Sequence, residues 1–407
     1  MHILLIHQAF AALDEPGGTR HHELAIYLAE SGHKVTIIAS PLSYLTGDSG
    51  GRGMRWVEEQ SGGEGITILR VYTYQALHRS FFHRVISFLS FMFSSFWIGL
   101  SVKNVDLVWG TSPPIFQGLT AWALARLKRA RFLFEVRDLW PAFAVAVGVL
   151  TNPGLIRISE WLERFLYRRA DQMMINSPGF RKHIESRGGK QIALIPNGAD
   201  GAMFAPDSKG AQFRSAHGLE GKFVALYAGA HGMSNDLDVL LDAAKLLDDF
   251  PEVVIVLLGA GKEKARLQSR AEELGLTNLR FIPPVPKDEM NEGLAAADVC
   301  IAILKPIEMY KTVYPNKVFD YMAAGRPTLL AIDGVIREVV ETARAGIFVP
   351  PGSPQALADG LRELAANPDQ TFQMGANGRE YLLEHFDRPK VAADLIELLE
   401  NLDSQRF

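Results

Sequence analysis

The chain has 407 residues, 48% of them hydrophobic and 22% charged, with a formal net charge of −4 at pH 7. This length suits two domains of roughly 200 residues each, and the composition excludes an intrinsically disordered protein. The net negative charge gives no reason to expect a nucleic acid as partner, and the single cysteine, Cys300, excludes a disulfide framework and fits a reducing compartment.

Short apolar strands alternate with helical patterns along the chain. The amino terminus lacks the basic start and the cleavage site of a signal peptide, so it predicts a first buried strand at 2–7. Further strands are predicted at 35–39, 66–71, 105–110, 132–136, 173–176 and 192–195, then at 223–228, 253–259, 279–282, 299–304, 328–332 and 346–349.

Two such series meet near the Pro-Asn-Gly segment at 196–198. Continuous apolar strands separated by helices are typical of parallel sheets covered on both faces. We therefore predict an α/β fold with two facing, doubly wound Rossmann-like domains at 1–197 and 198–385. A C-terminal helix at 386–407 follows and could pack back on the N-terminal domain.

The stretch 85–102 carries no charge and lies between Arg84 and Lys103. As a helix it would be about 27 Å long, the lower limit for crossing a hydrocarbon core. Small polar residues fall on one stripe of that helix: Ser87, Ser90, Ser94 and Ser101. That stripe is expected to pack against the protein. Three alternatives stay open, namely a helix that dips into a membrane surface, a buried core helix and a true membrane span.

Two adjacent glycines, Gly17 and Gly18, follow the first strand and precede a helix that begins near Glu23. They let the backbone approach a ligand closely, and a helix amino terminus favours negative charge. With Arg20 as a cation, the segment predicts a phosphate or sugar contact. The alternative is an ordinary strand-to-helix turn.

Three charged residues, Glu135, Arg137 and Asp138, lie at the end of the strand 132–136, beside Trp140. Burying them unpaired would cost several kcal/mol, so they should pair or meet a polar ligand. The alternative to a ligand is an ion pair of Arg137 with one of the two carboxylates.

In the second half, glycines twice follow a strand and precede a helix. The backbone amides between Gly229 and Gly232 could hold a diphosphate, with His231 as a helper. The glycines followed by Lys262 repeat this arrangement with a weaker signal.

The most informative segment is 310–327. Pro315 can open a helix and Gly325 can end it. Lys317 and Asp320 then share one face at i, i+3. A helix amino terminus with Lys317 suits phosphates and the carboxylate suits a sugar diol, whereas the alternative is a surface ion pair of these two residues.

Taken together and in this order, the segments resemble the retaining GT-B glycosyltransferases of family 4, especially the bacterial branch similar to the O-antigen L-fucosamine transferase WbuB. The matching segments are Gly-Gly-Thr-Arg-His at 17–21, Glu-Val-Arg-Asp-Leu-Trp-Pro at 135–141, Ile-Pro-Asn-Gly at 195–198, Gly-Ala-His-Gly-Met at 229–233, Gly-Ala-Gly-Lys at 259–262 and Asp-Tyr-Met-Ala-Ala-Gly-Arg-Pro at 320–327. The resemblance covers nearly the whole chain.

The resemblance implies that a sugar passes from a nucleotide-sugar, in particular a UDP-sugar, to a glycan or polyprenyl-diphosphate-linked acceptor, with retention of anomeric configuration. This reaction belongs to the synthesis of O-antigen or exopolysaccharide. It implies no metal and no cofactor beyond the donor, which is a co-substrate. It also implies a cytoplasmic protein, peripheral on the inner membrane, whose residues 85–102 meet the membrane surface near Arg79 and the basic run 126–131.

Roles follow for the matching positions. Lys317 and the amides of 229–232 would hold the donor diphosphate and Asp320 its ribose, while Arg137 and Asp138 lie near the acceptor. The remaining predicted donor-binding residues are Gly17, Gly18, Arg20, His231 and Lys262.

Two departures from the family pattern concern charge. The family motif has two glutamates separated by seven residues, and the second falls on Asp320. The first falls on Thr312, which has no carboxylate, and Glu308 lies one turn earlier. The Arg/Lys pair for the diphosphate is replaced by Ala230 or His231 and by Asn235. Two rival functions therefore stay open, a GT-B-fold UDP-GlcNAc 2-epimerase and a non-catalytic nucleotide-sugar-binding protein.

Overall fold

A computed structural model describes residues 1–15, 17–42, 55–75, 81–206 and 210–404. The chain divides into two compact units. The first comprises Met1–Leu13, Gly17–Pro196 and the chain from Val391, and the second comprises Asn197–Lys390 with the short segment that begins at Asp14.

The first unit is built on a mostly parallel sheet. Its strands are β1 (His2–Ile6), β2 (Lys34–Ala39), β3 (Val57–Ser61), β4 (Ile66–Val71), β5 (Leu107–Ser112), β6 (Arg131–Val136), β7 (Gln172–Ile175) and β8 (Ile192–Leu194). Its helices are α1 (Arg20–Glu30), α2 (Phe81–Ser101), α3 (Phe116–Lys128), α4 (Ala142–Ala146), α5 (Pro153–Arg169) and α6 (Arg181–Ser186). The strand order is β3-β4-β2-β1-β5-β6-β7-β8, and β3 is antiparallel to β4.

The direction of the chain across this sheet reverses between β1 and β5. From β1 the strands proceed towards β2 and β4, and from β5 they proceed towards β6, β7 and β8. Since parallel crossovers are right-handed, α1 covers one face while α2, α3 and α5 cover the other. A crevice opens where the carboxyl ends of β1 and β5 part, and ligands of such sheets bind there.

The second unit has a fully parallel sheet in the order β11-β10-β9-β12-β13-β14. Its strands are β9 (Phe223–Ala228), β10 (Val253–Leu258), β11 (Leu279–Ile282), β12 (Val299–Ile303), β13 (Thr328–Ala331) and β14 (Gly346–Phe348). Its helices are α7 (Gly210–His217), α8 (Asp238–Leu246), α9 (Lys264–Glu273), α10 (Met290–Ala296), α11 (Asn316–Ala323), α12 (Val335–Thr342), α13 (Pro354–Ala366) and α14 (Pro368–His385), and α15 (Arg388–Ser404) follows. Here the reversal lies between β9 and β12.

The two α/β domains predicted from the sequence are confirmed, and each predicted strand is present with its ends within two residues. Strand β3 was missed, because its sequence Val-Glu-Glu-Gln-Ser lacks an apolar run and its side chains are half-buried or exposed at the sheet edge. In α15, Val391, Leu395 and Leu399 lie in one buried cluster with Leu24 and Leu28 of α1.

Helix α2 packs with its serine stripe inward, as predicted. Ser87 and Ser94 are fully buried, and the Ser94 hydroxyl donates a hydrogen bond of 2.6 Å to the Tyr72 carbonyl. For Ser101 the prediction is wrong, because this last helical residue is exposed. Residues Phe82–Ser101 are long and apolar enough to cross a membrane, and 28% of the apolar window is buried. Arg79, predicted to lie nearby, falls outside the described residues.

Candidate functional site

Lys317, the second residue of α11, lies at the reversal point of the second sheet. Its Nζ is buried, has no hydrogen-bond partner among the described residues and lies 3.7 Å from the centroid of the Tyr227 ring. Burial lowers the pKa of this ammonium to about 7. A cation at a helix amino terminus without an acceptor of its own is a ready site for an anion.

Gly229 makes the approach of Lys317 to the end of β9 possible. Its φ is +146°, and a Cβ there would lie 2.9 Å from Nζ of Lys317. The following loop is held by a hydrogen bond of 2.7 Å from the Tyr227 hydroxyl to the Ala230 carbonyl. Asn235, one of the positions where the family has a cation, donates 2.9 Å to the same carbonyl. The loop is therefore fixed by uncharged groups, and Lys317 brings the charge.

The imidazole of His231 is fully buried, and neither ring nitrogen has a hydrogen-bond partner among the described residues. Burial, with Lys264 and Lys317 nearby, lowers its pKa to about 4. A Cβ at Gly261 would lie 2.5 Å from the His231 carbonyl oxygen, so the glycine permits this packing. The ring is neutral at pH 7, and Gly232 follows it at the start of a short 3-10 turn.

Asp320 does not pair with Lys317, so the predicted alternative of a surface pair between them is wrong. Its carboxylate accepts a hydrogen bond of 2.5 Å from Nζ of Lys287, which also lies 4.8 Å from the centroid of the Phe204 ring. The Lys287 and Asp320 side chains are only 13% and 15% exposed. Lys287 was missed, because its loop after β11 is 33 residues away and carries no motif.

Two lysines after β10 differ in exposure. Lys262, the predicted one, is exposed, and its contact with a donor stays a prediction. Lys264 was not predicted from the sequence. Its Nζ donates a hydrogen bond of 2.8 Å to the Gly259 carbonyl and so lies at the carboxyl ends of the strands.

Neither Thr312, at the position of the family's first glutamate, nor Glu308 one turn earlier supplies a carboxylate without a partner. The Thr312 hydroxyl donates 2.6 Å to the Met309 carbonyl. Glu308 is 85% exposed and pairs with Lys311 at 2.7 Å. The departure from the family pattern at Thr312 is therefore not compensated by Glu308.

In the first unit, Glu135 is completely buried and joins several groups. It accepts hydrogen bonds of 2.6 Å from Arg20, 2.6 Å from His21 and 3.1 Å from the Trp109 indole. Burial alone would raise the pKa of its carboxyl, but His21 and Arg20 hold it at about 2. Arg20 also donates 2.7 Å to the Ile195 carbonyl. Its charge is compensated inside the unit, and its contact with a donor stays a prediction.

Arg137 and Asp138 stand at the carboxyl end of β6. Arg137 donates 2.7 Å to the Thr111 hydroxyl, and its Nη2 lies 3.0 Å from Nε2 of His7. One oxygen of Asp138, Oδ1, is buried without a hydrogen-bond partner among the described residues, and burial raises the pKa of this carboxyl to about 6. The pair can bind a hydroxyl and hold or move a proton near neutral pH.

Gly17 and Gly18 precede α1 and are both exposed. Gly17 has a φ of +155°, and a Cβ there would lie 2.9 Å from the Ala11 Cβ, whereas nothing lies within 4 Å of a Cβ at Gly18. This backbone is open to a ligand, and its predicted donor contact stays a prediction.

Helix α2 reaches the same end of the first sheet. Residues at the end of β1 and on α2 line a cavity of about 20 Å³, including Gln8, Ser87 and Phe88. Gln8 Oε1 and Ser87 Oγ are buried there without partners among the described residues. That volume holds about one water molecule or hydroxyl group. Among the described residues, no group of three or more His, Cys, Asp or Glu is placed to hold a metal ion.

Both units match models of glycosyltransferase domains. Residues 17–198 match the "Glycosyl transferase 4-like domain" and residues 210–381 match "Glycosyl transferases group 1". The chain is 24% identical to WcaI of Escherichia coli (strain K12), which is named as a glycosyl transferase of colanic acid biosynthesis. The alignment of 388 residues covers 92% of this chain and 93% of WcaI.

Solved structures share the fold. Sucrose-phosphate synthase from Thermosynechococcus elongatus superposes with a TM-score of 0.78 at 19% identity, covering 99% of each chain. HepE from Anabaena, solved in complex with UDP-glucose, has a TM-score of 0.72 at 17% identity over 98% of this chain and 100% of its own.

Proposed function

From the premise that this chain is a glycosyltransferase of the GT-B type, to which both of its domains belong, we propose that it transfers a sugar from a UDP-sugar to a glycan or polyprenyl-diphosphate-linked acceptor in cell-surface polysaccharide synthesis. Transfer retains the anomeric configuration, and the WbuB-like branch assignment is part of the proposal. The similarity to WcaI, named for colanic acid, supports the polysaccharide context.

The observation that carries the proposal is the buried, unpartnered Nζ of Lys317 beside Gly229. An ammonium in a desolvated site binds a diphosphate strongly, and the amino terminus of α11 adds to its positive potential. HepE, which shares this fold, was solved with UDP-glucose bound, and this supports a nucleotide-sugar as the anion.

In a front-side displacement the diphosphate leaves as the acceptor hydroxyl attacks the same face of the sugar. The enzyme then has to position the reactants and stabilise the charge that develops on the leaving group. Lys317 and the amides of Gly229–Gly232 take that role, and Asp320 holds the ribose. Arg137 and Asp138 orient the acceptor hydroxyl, and the raised pKa of Asp138 suits it to take up its proton.

Metal independence belongs to the same proposal, because Lys317 supplies the positive charge that a metal would bring to the diphosphate. So does a cytoplasmic location, peripheral on the inner membrane. The outward side of α2 supports it, since Phe82, Phe93 and Trp97 are 70%, 58% and 52% exposed. An apolar helix face of this kind suits the headgroup boundary of a membrane.

The test incubates purified chain with labelled UDP-sugars and a lipid-linked sugar acceptor, with and without EDTA. We expect label in the lipid fraction in both cases. Release of an epimerised sugar without acceptor would instead indicate the 2-epimerase, and tight UDP-sugar binding without turnover would indicate a binding protein. Transfer that EDTA abolishes and added metal restores would contradict metal independence.

A further inference from the structure

Helix α5 exposes an apolar face that the catalytic site does not use. Ile158 and Trp161 are 64% and 62% exposed, and Leu155 near the start of the helix is 43% exposed, whereas Leu162 and Leu166 on the adjoining stripe are buried in the unit. The spacing 155, 158, 161 keeps the exposed side chains on adjacent turns of one side. Contiguous apolar exposure of this size marks a surface that contacts another phase or molecule.

Aromatic contacts extend this face onto the neighbouring helix. The Trp161 ring stacks on Phe165 at 5.6 Å, and Phe165 meets Trp122 of α3 at 4.8 Å. Leu127 of α3 is 63% exposed. We call Leu155, Ile158, Trp161, Phe165 and Leu127 the α5 surface. Since α3 packs on both α2 and α5, the exposed sides of α2 and α5 belong to the same helical layer of the first unit.

The charges beside the α5 surface are mostly positive. Three exposed arginines lie on the same stripe of the helix as Trp161: Arg157, Arg164 and Arg168. They are 4 residues before, 3 residues after and 7 residues after this tryptophan. Arg169 lies 5.7 Å from the centroid of the Phe165 ring, and Arg126, which is 52% exposed, lies 3.7 Å from Asp171, which offsets its charge.

Acidic groups on α5 do not cancel this charge. Glu160, at 3.6 Å from Arg164, offsets one arginine. The carboxylate of Glu163 is buried and bonded to His183 and Arg187. An apolar face edged by arginines is complementary to a leaflet of anionic lipids and not to an uncharged protein surface.

We infer that the α5 surface docks on an anionic lipid leaflet, with Ile158 and Trp161 at the boundary of headgroups and acyl chains and the arginines on lipid phosphates. It is a second membrane contact beside α2. Two contacts on one layer fix the orientation of the unit, whereas one helix alone would allow it to rotate about the helix axis.

This docking also bears on the acceptor, in a step that rests on the proposed function. The chain runs from Arg137 and Asp138 through α4 to α5, and Val145 and Val149 on the way are 39% and 38% exposed. Both valines lie in the segment that links the acceptor residues to α5 along the chain, and both present apolar side chains to the surface. This segment suits an acceptor whose sugar reaches Asp138 while its hydrocarbon chain stays in the leaflet.

The test is co-sedimentation of the full chain with phosphatidylcholine vesicles, with and without phosphatidylglycerol. A double variant, Ile158→Ser with Trp161→Ser, should lower the bound fraction at least about fivefold on the anionic vesicles. Arg164→Gln with Arg168→Gln should remove most of the dependence on phosphatidylglycerol. The matched control is Phe372→Ser, since Phe372 is 75% exposed on α14 of the second unit, and it should bind like the parent.

Unchanged vesicle binding of the serine double variant would overturn the inference. So would sedimentation velocity showing a dimer of the parent that this variant abolishes while vesicle binding persists, because the face would then join two copies. Turnover with a soluble acceptor without a lipid tail should stay at the parental rate in this variant. If the parent shows no transfer at all, the proposed function fails while the vesicle result still stands.

Discussion

Replacing Lys317 with methionine tests the donor site directly, because it removes the charge and keeps the length of the side chain. A charge-assisted hydrogen bond to a phosphate oxygen is worth about 1.5–3 kcal/mol. At about 1.4 kcal/mol per factor of ten, Lys317→Met should weaken UDP binding about 10- to 150-fold. Isothermal titration calorimetry measures this change.

The same substitution should stabilise the ligand-free protein. The fall of the Lys317 pKa from 10.5 to about 7 sets a ceiling of about 5 kcal/mol on the cost of burying the ammonium, at about 1.4 kcal/mol per pH unit. Solvent reaching the pocket reduces it, and the contact with Tyr227 already offsets part of it. We expect the free energy of unfolding at pH 7, measured by urea denaturation, to rise by about 1–3 kcal/mol in the variant.

The pH dependence follows from the same shift. The folded-state pKa lies below the unfolded one, so the parent loses stability as pH falls from 10.5 towards 7, and the variant lacks that loss. The affinity of the parent protein for UDP should fall as pH rises through about 7, because the Lys317 ammonium of the ligand-free protein loses its proton. UDP itself also titrates near neutral pH, and this effect is the same in both proteins. Subtracting the affinity of the variant from that of the parent at each pH therefore leaves the contribution of Lys317.

The control is Lys245→Met, since Lys245 is half-exposed on α8 and pairs with Asp248 at 2.6 Å. A surface pair contributes about 0–1 kcal/mol, so neither UDP affinity nor stability should change much. A Lys317→Met protein that binds UDP like the parent, or one that is less stable than the parent, would refute the assignment of Lys317 as the diphosphate cation.

Three further predictions concern the other charged groups. Asp320→Asn should raise the donor KM about tenfold, and combining it with Lys287→Met should add little to either single change, because the two side chains act as one unit; additive effects would contradict this. The kcat/KM for the acceptor should rise with pH through about 6 as Asp138 loses its proton, and Asp138→Asn should abolish this rise. The same variant should be more thermally stable at pH 7. The reason is that the pKa of Asp138 is raised from 3.8 in the folded state, so the parent loses stability as pH rises through about 6. Glu135→Gln should lower the free energy of unfolding by about 3–5 kcal/mol, because it leaves the buried guanidinium of Arg20 without its carboxylate. A urea midpoint close to that of the parent would argue against this network.

The strands and the order of the domains could be predicted because they depend on local apolar runs. Buried segments such as Val253–Leu258 consist of branched aliphatic side chains only, and these favour a strand covered on both faces. Strand β3 had no such signal, since it pairs on one side only and keeps charged side chains in water.

The site could be predicted in part. The structure places Lys317 beside Gly229, and their role towards a donor stays a prediction. Glycines such as Gly229 permit a close approach to the backbone, so this loop and Lys317 were proposed as a site from their sequence patterns. Lys287 and Lys264 were not, because their contacts join loops that are distant in sequence. Likewise, nothing around Glu135 in the sequence indicates Arg20 or His21, which approach it from α1 across 115 and 114 residues.

The departures from the family pattern are consistent with one another. Without an Arg/Lys pair after β9, the positive charge at the end of this strand comes from Lys317 on α11, and the glycine at 229 leaves room for its Nζ. Aspartate at 320 is one methylene shorter than the family's glutamate, and Lys287 fixes its carboxylate at 2.5 Å. On the proposed function, the desolvated ammonium of Lys317 lowers the stability of the ligand-free protein and increases the affinity gained when a diphosphate binds. A site arranged in this way should discriminate strongly between a diphosphate and an uncharged sugar, so free sugars should inhibit far more weakly than UDP.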